Sequence, residues 1–161
     1  MCHTIIIAIF VGNILKMAKY DIQWSAREPA VMPALDLGAT QRWLDEVAVA
    51  HGCQIGRLSY VFCDDECILG MNRQFVHHDY YTDIITFDYC RGAELNGEVF
   101  ISLDTVASNA LKFGVSADRE LHRVIAHGLL HLCGIDDKGP GEREIMELHE
   151  NEALALLDAI V

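Results

Sequence analysis

Ile84-Ile-Thr-Phe-Asp-Tyr-Cys-Arg-Gly-Ala-Glu-Leu-Asn-Gly-Glu-Val-Phe-Ile-Ser-Leu103 decides the fold class. Its two ends, Ile84 to Tyr89 and Glu98 to Leu103, are dominated by β-branched and aromatic residues. The connection Arg91 to Gly97 is glycine-containing and too short for a crossover helix, so the two strands are expected to pair antiparallel. Upstream, Ile55 to Phe62 (IGRLSYVF) alternates and reads as a further strand. Asp64-Asp65 opens a predicted helix to about Val76, with Ile68, Met71 and Phe75 at helical spacing. Thr40 is the expected N-cap of another helix, which runs to His51 and stops at Gly52. Downstream everything is helical in pattern: Asp104 to Phe113 before Gly114, a Ser116-capped helix to Cys133 before Gly134, and Glu142 to Ile160 after Pro140-Gly141. This order of elements predicts an α+β fold, a small mixed sheet covered by several helices.

At 161 residues the chain is expected to hold one domain, large enough for a core without staples. With 24 acidic against 12 basic side chains, the net charge of −12 excludes a protein that coats nucleic acid by bulk attraction. Six cysteines with no CxxC pair fit reduced thiols in a cytoplasmic protein rather than a disulfide framework. Cys63 and Cys67 are read as structural thiols. Ile5 to Val11 is strongly apolar but too short to span a bilayer. Residues 1–16 are therefore expected to lie outside the domain, which occupies 17–161, and Met17 is a plausible alternative start.

The chemistry concentrates in Ala126-His-Gly-Leu-Leu-His-Leu-Cys-Gly-Ile-Asp-Asp137. On a helix His127 and His131 share a face one turn apart, the arrangement in which two imidazoles grip one metal ion. Leu121, Val124, Ile125, Leu129 and Leu132 form an apolar arc, and the histidines sit at its border. Gly134 permits a sharp turn that brings Asp136 and Asp137 back alongside. A ligand from beyond that turn would complete a three-ligand site with a position open to water, as catalytic zinc requires. A zincin protease carries Glu directly after its first histidine, whereas position 128 here is Gly, which counts against peptide hydrolysis.

HGLLHLCGIDD resembles the H-G-x-L-H-L-x-G-x-D-H signature of the YbeY family of metal-dependent endoribonucleases. Asn72 to Phe87 (NRQFVHHDYYTDIITF) is similar to that family's N-x-x-[YF]-R-x-x-D-x-x-T-D-[VI]-[LI]-[ST]-F block, and Gly97 to Ser102 to its G-[DE]-[IV]-x-[IL]-[SC] strand. The resemblance covers Tyr20 to Leu156. It implies a zinc-dependent hydrolase cutting RNA during ribosomal RNA maturation, with the small ribosomal subunit as partner and no membrane association. The family's third metal-binding histidine falls on Asp137, itself a competent oxygen ligand. The implied site is thus His127, His131 and Asp137 around one Zn2+, acting through the water it holds. The family's arginine falls on Val76, and Arg73 is the expected substitute contact to phosphate.

Two other functions compete: a metal-binding ribosome assembly factor without catalysis, and a metallohydrolase acting on a peptide or small molecule. Asp136 is expected to orient a ligand or cap the turn, and Thr82-Asp83 to set a turn into the strand. Cys133, Trp24 and Trp43 are assigned to packing, and His77, His78 and His149 to the surface. The acidic residues of the last helix (Glu142, Glu144, Glu147, Glu150, Glu152, Asp158) are expected to form a solvated face away from the site.

Overall fold

In the computed structural model, which describes residues 22–77 and 82–160, four strands form one mixed sheet in the order β1-β2-β4-β3. The strands are β1 (Ile22–Ala26), β2 (Gln54–Cys63), β3 (Ile84–Asp88) and β4 (Glu94–Ser102). β1 runs parallel to β2 and β2 to β4, whereas β3 is antiparallel to β4, as the opening stretch predicts. The helices are α1 (Leu37–Ala50), α2 (Asp65–Met71) with a π-helical turn Asn72–Val76, α3 (Leu103–Phe113), α4 (Ala117–Leu132) and α5 (Glu142–Ile160). The fold is α+β. Residues 1–16, expected outside the domain, and His78 lie outside the described residues.

The sheet is covered unequally. On one face α1, α4 and α5 bury Ile55, Leu58, Tyr60 and Phe62 of β2 with Leu95, Val99 and Ile101 of β4. On the other, α2 covers Val61, Cys63, Ile85 and Phe100. Ile55 and Leu58 point the same way although three residues apart, because the ladder slips one residue between them. Such a bulge offsets the two-residue side-chain period. The Asn96 side chain accepts a bond from the Arg57 N–H at 2.7 Å, satisfying the backbone there.

Several boundaries differ from expectation. Thr40 is buried inside α1, its hydroxyl donating to the Asp36 carbonyl at 2.8 Å, and Asp36 is the N-cap, accepting from the Ala39 N–H. β4 starts at Glu94, four residues before the expected Glu98, so the hairpin connection is shorter than Arg91 to Gly97. β1 was not anticipated, although Ile22, Trp24 and Ala26 alternate toward the core, where Trp24 stacks on Tyr60 with ring centroids 4.8 Å apart. Trp43 is fully buried and its indole donates to the Ala153 carbonyl at 2.7 Å, tying α1 to α5.

α4 lies tight against the sheet at Gly128. A Cβ there would meet Val99 Cγ1 at 2.8 Å and Ile84 Cδ1 at 2.9 Å, below any real contact distance. The glycine therefore has a packing reason, and a longer side chain cannot occupy that face of the helix. Tyr60 locks the same contact, its hydroxyl donating to the Ile125 carbonyl at 2.8 Å. In an exposed helix Gly→Ala stabilises by up to about 1 kcal/mol. Here Gly128→Ala should act with the opposite sign, costing about 1–3 kcal/mol by overpacking, as thermal unfolding would read.

Candidate metal centre

The site rests on the end of α4. Ser116 caps its start, its hydroxyl accepting from the Arg119 N–H at 3.0 Å. At the far end Gly134, with φ 92°, takes the left-handed conformation. Its N–H bonds the His131 carbonyl and the Ile135 N–H bonds the Leu130 carbonyl, the paired pattern of a Schellman turn. Ile135 packs against the core there, which folds Asp137 back over the last turn of α4.

Three donor atoms converge at this point. His127 Nε2 and His131 Nε2 are 2.9 Å apart, and Asp137 Oδ2 is 3.4 Å from the first and 3.5 Å from the second. Two nitrogens each about 2.05 Å from one tetrahedral zinc would be separated by about 3.3 Å, so the triangle has the size of a single-ion site. All three side chains are partly buried, at 14%, 25% and 26% exposure, and open to one side. Burial and the neighbouring His127 hold the His131 imidazole below its ordinary pKa, with Asp137 pulling it partly back. The neutral ring, with a free lone pair, is the form a metal needs. The donor chemistry and spacing fit a resident divalent ion.

Behind the donors stands a chain of charges. The His127 Nδ1–H donates to Glu150 Oε1 at 2.6 Å, which fixes the tautomer and aims Nε2 at the site. Arg123 Nη1 donates to the same Glu150 oxygen at 2.9 Å, and its guanidinium makes two bonds to Glu120, at 2.6 and 2.9 Å. A longer contact of 3.4 Å reaches Asp83 Oδ2 at the entry to β3. Glu120 and Glu150 are buried, at 2% and 7% exposure. Burial alone would lower the Arg123 pKa, yet the Glu120 and Glu150 carboxylates and Asp83 raise it well above its ordinary value.

The expectation for Glu150 was wrong: it is no part of a solvated face. It stands four residues after buried Met146 and ahead of buried Ala153 and Leu154, so the helical period could have placed it inside. Glu142 and Glu147 also line the cleft rather than turning away from it. Asp136 is exposed beside the site. Thr82 and Asp83 line the cleft besides leading into β3.

Cys133 faces Cys53 and Cys90, and burial pushes its thiol far above the usual range, so it packs as a neutral group. The five described cysteines are all free thiols. His77 is exposed, whereas His149 is half-buried against His51.

The donors open into a cleft of about 1170 Å³ along α4, α5 and β3. Asn72 and Val76 line it, but Arg73 does not; it is exposed on the π-helical turn. An i→i+5 turn rotates residues three apart away from one another, so Arg73 and Val76 lose the shared face that an α-helix would give them. The cleft's cations are Arg119, Arg123, Lys138 and Arg143, against eight carboxylates. Among the described residues no helix is long and apolar enough to cross a membrane.

Fold and site together define a small α+β protein whose central helix and following turn carry a three-donor metal-type site. The family model described as endoribonuclease YbeY matches residues 30–158, and the chain belongs to that family. It is 60% identical to a protein of Phocaeicola vulgatus named endoribonuclease YbeY, over 81% of this chain and 94% of that one. A Porphyromonas gingivalis protein of the same name is 46% identical over 83% and 89%. A solution structure from Thermotoga maritima shares the fold, with a TM-score of 0.61 at 23% identity, covering 85% of this chain and 89% of that one.

Replacing Glu150 with Gln should weaken metal retention by about 10- to 100-fold, the usual cost of losing a ligand's hydrogen-bonding partner. Competition against a chromophoric chelator measures it.

Proposed function

We propose that this chain is a zinc-dependent endoribonuclease that hydrolyses phosphodiester bonds in ribosomal RNA during small-subunit maturation, in the cytoplasm. The observation that carries the reading is the convergence of His127 Nε2, His131 Nε2 and Asp137 Oδ2 on the floor of an open cleft. Membership of a family whose named relatives are endoribonucleases supports RNA as the substrate class.

His127, His131 and Asp137 would hold the ion. When bound, it would supply a Lewis acid that makes water nucleophilic near neutral pH and offsets charge on the phosphate oxygens. Glu150 holds the proton on His127 Nδ1, so that Nε2 stays a lone-pair donor throughout. Arg123 fixes Glu150 and is itself held by Glu120, which leaves this guanidinium little freedom to meet substrate. Gly128 excludes a carboxylate base on the helix, because the sheet occupies that space. Lys138 and Arg143, exposed on the cleft rim, are the side chains we assign to RNA phosphates in place of Arg73, which does not line the cleft.

His131→Ala should lose both the metal and the cleavage of a structured ribosomal RNA fragment. Cleavage unchanged in a metal-free variant would refute the site. Asp137→Ala should weaken metal retention more than Asp136→Ala, and the reverse ranking would move the third ligand to Asp136. A wild-type protein that holds zinc stoichiometrically and binds small subunits, yet cuts no RNA, would favour an assembly role. Removing Lys138 and Arg143 together should weaken RNA binding and flatten its log–log salt dependence by about 0.7 for each cation lost.

A further inference from the structure

We propose that His51, His149 and Glu152 form a second, separate site for a zinc-class divalent ion, clipping the end of α1 to the middle of α5. Their donor atoms lie within 4.8 Å of one another, as do those of His127, His131 and Asp137. His51 is the residue that closes α1, held by a turn in which Gly52 N–H bonds Val49 and Cys53 N–H bonds Ala48. Its Nδ1 lies 2.9 Å from the Val47 carbonyl, which can only accept, so this nitrogen carries the proton. Nε2 is then a free lone pair, and it points at His149 Nδ1, 3.3 Å away. That separation is the one expected, about 3.3 Å, for two imidazole nitrogens on one tetrahedral zinc.

The third donor arrives by helical spacing. Glu152 follows His149 by one turn of α5 and its Oε2 lies 2.9 Å from His149 Nδ1. The spacing is that of the Glu-x-x-His ligand pair of bundle metal sites, here with the imidazole first. The two sites share a ring geometry as well. His51 and His149 meet edge-on with centroids 4.9 Å apart and planes at 75°, close to the 4.4 Å and 85° of His127 and His131. Without an ion, one proton on His149 Nδ1 has to serve both a lone pair and a carboxylate. With one, three lone pairs meet a cation, and the partly exposed His149 and Glu152, at 27% and 56%, leave room for water as a further ligand. The neighbour of His149 in sequence is Glu150, so the clip steadies the stretch of α5 that supports the first site.

The test is a titration of metal-stripped full chain with Co2+ and then Zn2+, followed by visible absorption and calorimetry. The wild type should take up two equivalents per chain. His51→Gln, His149→Gln and Glu152→Gln, each made singly, should each lose the weaker equivalent, by at least tenfold in affinity, and keep the stronger, whose retention reports an intact fold. A His131→Ala chain should show the converse, keeping the equivalent that His149→Gln removes. A wild type that saturates at one equivalent, or three variants that all bind as the wild type does, would overturn the proposal.

Discussion

The guanidinium of Arg123 is the interaction on which the rest of the site depends. It joins Glu120 of its own helix, Glu150 of α5 and Asp83 at the start of β3, so three elements meet on one cation. Buried charges are tolerated only when paired, and removing one partner from such a set costs about 3–5 kcal/mol. The pairing here is deliberately uneven. Three carboxylates face one guanidinium, and Asp137 adds a fourth negative charge a few ångströms further on. The two histidines stand between this excess and the cleft. A divalent ion at His127, His131 and Asp137 would offset most of the imbalance, so the support structure favours cation binding before any ligand bond is counted.

Local structure makes that arrangement possible at two glycines. Gly128 lets α4 sit against Val99 and Ile84, and this closeness sets the depth at which the histidines emerge from the sheet's surface. Gly134 then reverses the chain in a left-handed turn, and Asp137 returns within reach of both rings. A larger residue at the first position would lift the helix. A β-branched residue at the second would straighten the turn and carry the carboxylate away. Position 128 thus explains two things together: tight helix-on-sheet packing and the absence of a carboxylate base.

Much of this was legible in the sequence, because it was written in short-range terms. The antiparallel pair, the capped α4, the glycine stop and the His-x-x-x-His face all follow from spacing within a few residues. What escaped was set by distance along the chain. Glu150 lies 23 residues from His127, and its role is visible only once α5 packs on α4. β1 is a five-residue edge strand whose apolar alternation is limited to Ile22, Trp24 and Ala26, and its pairing with β2 depends on α1 carrying the chain across. The early start of β4 and the π-helical turn are tertiary outcomes too, and the latter removed Arg73 from the place that α-helical counting gave it.

The overall charge of −12 takes a different meaning from this geometry. Acidic residues are not confined to a solvated face; eight carboxylates line the cleft itself. Such a cleft repels a polyanion except near the exposed Lys138 and Arg143, and a divalent ion held at the donors would offset further negative charge. On the function proposed above, RNA would bring its scissile phosphate to the donors and flanking phosphates to the cations of the rim. Attraction patterned in this way disfavours indiscriminate RNA binding, because carboxylates outnumber cations two to one in the cleft lining. In the proposed role, selectivity would follow from repulsion as much as from contact, with shape or a partner, rather than net charge, bringing the substrate to the cleft.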